Sequence, residues 1–148
     1  MKNHLTFVVI VLVIAASELF AQSAHQQSET TDTIIYTLDN CVNEFSMDDT
    51  VRTKVGYQYW FADKKLAAGK TLKMSVVAPG KATHPPHTHK EDEFFFVLEG
   101  RAEFYLNGKT KEAGPYSSFY CPRNSEHGLR NIGDTELKYL VIKKYEEL

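Results

Sequence analysis

The chain has 148 residues, 43% of them hydrophobic and 24% charged, with a formal net charge of −2. That is enough apolar material for one domain with a real core. The nearly balanced charge, with no basic stripe, gives no electrostatic reason to expect a nucleic-acid partner.

The first elements in chain order read as targeting rather than fold. Met1-Lys2-Asn3-His4 is weakly basic, positions 5–16 are almost entirely apolar, and Leu19-Phe20-Ala21-Gln22 offers a small residue at a cleavage point. This pattern predicts a signal peptide over 1–21, and its apolar run is shorter than the roughly 20 residues of a membrane span. No cysteine stands near the cleavage point to carry a lipid. Cleavage after Ala21 removes Lys2 and Glu18 and leaves the net charge unchanged. The mature protein is therefore expected to be exported, periplasmic or extracellular, without a stable membrane span. Its cysteines are Cys41 and Cys121. In an oxidising compartment they can pair or remain free thiols, and spacing does not choose between these.

Positions 22–33, rich in Ser, Thr, Gln and acids, are expected to form a flexible leader. A single domain is expected over 34–148. Its first strand is predicted over 33–38, followed by an irregular stretch over 41–50. One strand is predicted over 51–61, a turn-like stretch over 63–70, and a strand over 71–78 stopped by Pro79-Gly80. Further strands are predicted over 93–98, 102–106, 109–112, 116–120, 127–132 and 136–143. Asn107-Gly108 between two of them favours a type I′ hairpin turn. In the last strand Leu137, Tyr139 and Val141 share one face, and Lys138, Leu140 and Ile142 the other. Both faces are partly apolar, which suggests a sandwich core or a subunit interface. Many short strands, with no long amphipathic helix, indicate an all-β sandwich or barrel.

The chemistry concentrates in His87-x-His89-x3-Glu93, with His127 downstream. On an extended segment His-x-His sends both imidazoles to one face. Glu93 opens the next predicted strand, where alternation turns Phe95 inward with it and Phe94 and Phe96 outward. Three imidazoles and a carboxylate suit one Fe, Mn, Ni, Cu, Zn or Co ion, with positions left for water, substrate or dioxygen.

With these residues the chain resembles the cupins, specifically small quercetinase-like monocupins. Gly80, His87, His89, Glu93 and Gly100 match the first cupin motif, with one extra residue after Gly80. Pro122, Asn124, His127 and Asn131 match the later part of the second. Asn124 stands where the family has Gly, and Gly114 lies two residues too far upstream. Asn is the next best residue for a left-handed turn. The resemblance covers 72–142. It implies a double-stranded β-helix, or jelly-roll, barrel. It also implies that His87, His89, Glu93 and His127 bind one divalent metal, and that Glu93 is the candidate general base. The family supports many reactions.

Other residues are wall candidates. Tyr57, Tyr59, Trp60, Met74, Tyr105, Tyr120 and Tyr139 supply aromatic or apolar surface, and Arg101 and Arg130 are candidates to meet a substrate carboxylate. His84, beside Pro85-Pro86, reads as loop, and His4 and His25 have no role. Three readings follow: an oxygenase-like metalloenzyme on a small oxygen-rich molecule, a non-oxidative isomerase, epimerase or lyase on a sugar or keto acid, and a metal-dependent ligand-binding module. No basic cluster is visible beside the motif, which argues against a sugar phosphate. Edge strands and the second apolar face of the last strand suggest a homodimer.

Overall fold

Period-two alternation is the organising signal, and in a computed structural model describing residues 34–145 it produces nine strands among the described residues. They are β1 (Val51–Thr53), β2 (Gly56–Ala62), β3 (Lys70–Val77), β4 (Glu93–Glu99), β5 (Ala102–Leu106), β6 (Lys109–Ala113), β7 (Ser118–Cys121), β8 (His127–Asn131) and β9 (Leu137–Lys144). One helical turn, α1 (Leu38–Cys41), precedes them. All paired strands are antiparallel, in a six-stranded sheet of order β1-β2-β3-β9-β4-β7 and a three-stranded sheet of order β6-β5-β8. The core lies between them. Phe95, Val97 and Tyr139 of the larger sheet are buried with Phe104 and Leu129 of the smaller. Phe104 stacks on Phe119 at 4.8 Å. This is the all-β jelly-roll architecture expected from the sequence.

The opposite face of the larger sheet carries a second cluster. Tyr59, Met74 and Val76 are buried there, with Tyr57, Phe61, Leu98 and Leu140 packed around them. The segment after α1 covers part of this face: the Phe45 ring meets Tyr59 edge-on at 5.1 Å, and the Tyr59 hydroxyl bonds to Glu44 O at 2.7 Å. Both faces of β9 are thus used, as its alternation indicates, with Leu137, Tyr139 and Val141 buried in the core.

Two local expectations are corrected. Residues 34–37 are not a strand; the Asn40 side chain receives the Thr37 N–H and donates to Ile35 O, and the chain turns into α1 instead. A short amide side chain that satisfies local backbone groups competes with strand pairing. The single strand expected over 51–61 is a hairpin, β1 and β2, reversing at Lys54-Val55. Gly56 makes this possible, since a Cβ there would stand 2.0 Å from Val76 O on β3. Asn107 and Gly108 both have positive φ, 45° and 83°, as the type I′ turn requires. Asn124 adopts φ 57°, the left-handed conformation for which Asn substitutes for Gly. The signal peptide, the leader over 22–33 and the first residue of the strand expected over 33–38 lie outside the described residues.

Candidate metal centre

The histidine segment is not a regular strand. It belongs to the long connection between β3 and β4, docked on β8 by isolated pairings of Ala82 with Arg130 and of His87 with His127. His87 and His127 exchange both backbone hydrogen bonds, at 3.0 and 2.9 Å. Directly opposed residues in an antiparallel pair project to the same face, so this pairing puts the two imidazoles side by side. His89, two residues on, returns to that face, and its carbonyl accepts the Asn124 N–H at 2.9 Å. Glu93 enters from the first position of β4.

The four side chains converge. The rings of His87, His89 and His127 lie 4.7–5.3 Å apart, centroid to centroid. Glu93, only 7% exposed, puts Oε1 3.0 Å from His127 Nε2 and 3.5 Å from His89 Nε2. Ligand atoms of His87, His89 and His127 all fall within 4.8 Å of one another, a spacing that could hold a metal ion. The structure therefore brings together all four residues proposed from the sequence.

The hydrogen bonding fits a cation. Nδ1 of His89 is 2.7 Å from Glu91 O, and Nδ1 of His127 is 2.9 Å from Ser125 O. A carbonyl only accepts, so each Nδ1 carries the proton, and a ring without a second proton presents a lone pair at Nε2. At His127 that lone pair faces a carboxylate oxygen at 3.0 Å, acceptor against acceptor, and a proton or a metal ion must lie between them. Nδ1 of His87 and Nε2 of His89 are buried without a hydrogen-bond partner. An unsatisfied buried polar atom costs about 1–3 kcal/mol, and a metal-bound nitrogen is satisfied. Burial is the largest influence lowering the pKa of His87, followed by His84 and the other two imidazoles, which keeps its ring neutral and able to ligate.

The sequence did not reveal Cys121 as a neighbour of this centre. It sits directly across from Glu93 in the β4–β7 pair, and its Sγ, a Glu93 oxygen and a His127 nitrogen lie within 4.8 Å of one another. Neither cysteine is in a disulfide: Cys41 is exposed and Cys121 buried. Burial, reinforced by the Glu93 charge and opposed by Lys143, pushes the Cys121 thiol up to about 12. At pH 8 only about one part in ten thousand would be thiolate. Titration of the native protein with a disulfide reagent at that pH is expected to release one equivalent rapidly, from Cys41. The second is expected only on unfolding; two rapid equivalents would refute this placement.

His87, His89 and Glu93 open onto a cavity of about 170 Å³, with His127 buried behind them. Of the wall candidates, Trp60 and Tyr139 line it. Tyr57, Tyr59 and Met74 belong to the opposite face of the sheet, because they alternate with Trp60 and Lys73. Tyr105 donates to Glu126 at 2.6 Å and Tyr120 to Asp92 at 3.1 Å, and neither lines the cavity. Arg101 pairs with Glu112 at 2.9 Å, and Arg130 borders a separate shallow pocket. His84, read as loop, is exposed but lies at the cavity mouth with its ring 4.2 Å from that of His87. The absence of a basic cluster is overturned: Lys73 of β3 and Lys143 of β9 both line the cavity. They are 70 positions apart in the chain, and only the β3–β9 register brings them together.

Comparison with known proteins agrees with this architecture. The cupin domain family matches residues 73–143. The polyketide synthase CurC of Streptomyces cyaneus is 29% identical over 65 residues, covering 44% of this chain and 42% of its own length. Auxin-binding protein 1 of Arabidopsis thaliana is 35% identical over 78 residues, covering 47% and 39%. The chain thus spans roughly half the length of the curated relatives it matches. Among solved structures, the polyketide cyclase RemF of Streptomyces resistomycificus superposes with a TM-score of 0.59 at 26% identity, over 71% of this chain and 80% of that one.

Proposed function

The chain belongs to the cupins through its domain over 73–143, and we propose that it binds one divalent transition metal and acts on a small oxygen-rich molecule. The observation that carries this reading is the convergence of three imidazoles and a buried carboxylate, with His87, His89 and Glu93 facing one cavity and two imidazole nitrogens left partnerless. His87, His89, Glu93 and His127 would hold the ion. When bound, the metal would supply Lewis acidity, or redox chemistry toward dioxygen, at a ligated oxygen.

The chain's own groups complete the site. Phe95, Leu129 and Val141 line the cavity and limit water beside the reacting atoms. Burial raises the Tyr139 pKa, so its hydroxyl remains a neutral group at physiological pH, held by Thr83 Oγ1 at 3.0 Å. Glu93, already sharing its carboxylate with His127, can remain a ligand or take a substrate proton. A Glu93→Gln variant separates these roles. A turnover loss much larger than its loss of metal marks the base; parallel losses mark a ligand only.

The oxygenase-like reading is tested by metal analysis of the purified protein, with turnover of phenolic, enediol and keto-acid substrates measured in air and under argon. Product and oxygen uptake only in air support it. Equal turnover under argon replaces it with the non-oxidative reading, to which Lys73 and Lys143 lend support by suiting an acidic substrate. A ligand recovered unchanged that raises the melting temperature would instead identify a binding module. We also propose export after cleavage at Ala21, from the apolar 5–16 segment and the residues around Ala21. A mature chain isolated with Gln22 at its N-terminus would support this; recovery of the uncleaved chain from the cytosol would not.

A further inference from the structure

Lys73 and Lys143 project into the cavity from neighbouring antiparallel strands. The register pairs Thr71 with Lys143 and Lys73 with Val141, so the two lysines are diagonal neighbours on one face. Both are held. The Lys73 ammonium lies 5.1 Å from the centre of the Trp60 ring, and that of Lys143 5.0 Å from the Tyr145 ring. Lys143, only 11% exposed, also meets the Glu91 carboxylate at 3.4 Å. Lys73 makes no ion pair among the described residues. Like charges diagonally placed on a half-buried wall repel, and desolvation makes an unpaired ammonium costly. An anion on this wall would relieve both effects.

We propose that Lys73 and Lys143 bind the carboxylate of the substrate, making this a site for small carboxylic acids. The proposal rests on the reading of the cavity as a small-molecule site. It assigns to this pair the role that sequence had offered to Arg101 and Arg130. The lysines, His87 and His89 line the same 170 Å³ space, which suits a compact acid with its carboxylate on the lysines and another oxygen toward the histidines. A monoanion fits better than a phosphate dianion. Glu91 and Glu93 stand beside the two ammonium groups, and no arginine lines the cavity among the described residues. Burial lowers the pKa of Lys73, the Glu93 charge opposes this and the Lys143 charge adds to it.

Trp60 is the chain's single tryptophan, so its fluorescence reports on this wall without any turnover. The probes are propionate, its neutral isostere propionamide, and inorganic phosphate, titrated into protein stripped of metal and into protein loaded with Mn. A saturable change is expected with propionate, and none with propionamide. Lys73→Met and Lys143→Met should each weaken propionate binding about tenfold, the loss expected for a charge-assisted contact. Lys73→Arg should bind within a few-fold of the parent, and circular dichroism verifies that each variant is folded. Unchanged propionate binding in both methionine variants would overturn the proposal. So would propionamide binding as well as propionate, or phosphate binding more tightly. Because the stripped protein is titrated as well, propionate binding without metal retention counts against the metal reading alone. Metal retention without propionate binding counts against the lysine site alone.

Discussion

His127→Ala is expected to leave the purified protein without retained metal, an affinity loss of at least about a hundredfold, since even indirect supports of metal sites contribute 10- to 100-fold. The side chain is fully buried, its Nδ1 is held by Ser125 O, and its Nε2 points at Glu93. No other group among the described residues occupies that position. His87→Ala and His89→Ala should behave alike, because each removes one of the converging nitrogens. His84→Ala is the control: its ring touches that of His87, but it is exposed and outside the converging set, so metal should be retained. The measurement is metal content by elemental analysis after dialysis against a chelator, with circular dichroism as the check of folding. Full retention in both His87→Ala and His127→Ala would remove the ligand assignment. Cys121→Ser is expected to keep the metal, since burial holds the Cys121 thiol protonated and the three imidazoles and Glu93 remain.

The ligands were legible because their signal is local. His87, His89 and Glu93 fall within seven residues, and alternation alone places the two imidazoles together. His127 was legible through the residues around it, Pro122, Asn124 and Asn131, each with a backbone or hydrogen-bonding role the structure displays. The strands after β3 were legible because Gly, Pro and Asn mark their turns. What was hidden depends on register between distant segments. Nothing near Lys73 or Lys143 indicates that β3 lies beside β9, and nothing near Cys121 indicates that β7 places it opposite Glu93. The wall candidates failed for a related reason. Aromatic character marks a residue for burial but does not say on which face, and Tyr59 and Trp60, adjacent in sequence, go to opposite sides. Residues 34–37 misled because β-branched composition predicts a strand while Asn40 offers the backbone a closer partner.

Asn131→Ala should destabilise the protein by about 3 kcal/mol, the sum expected when several buried groups lose their partners. Asn131 is completely buried, and its side chain makes three hydrogen bonds. The amide nitrogen donates to Val77 O and Thr135 O, both at 2.8 Å, and the oxygen accepts the Gly133 N–H at 2.9 Å. One side chain therefore ties the end of β8 to β3 and to the turn leading into β9. Alanine leaves two carbonyls and an N–H without that partner. Because β8 begins at His127, the same tie supports the strand that carries a ligand. Metal and Asn131 thus stabilise the same folded state, and the two effects should be linked. Free metal at a hundred times its dissociation constant would raise stability by about 2.7 kcal/mol, recovering most of the loss. Urea unfolding of Asn131→Ala with and without metal measures this. A midpoint that rises with metal in Asn131→Ala but not in His127→Ala would establish that metal acts through the histidine centre. A midpoint unmoved by metal in the parent protein would refute a coupling between that centre and the fold.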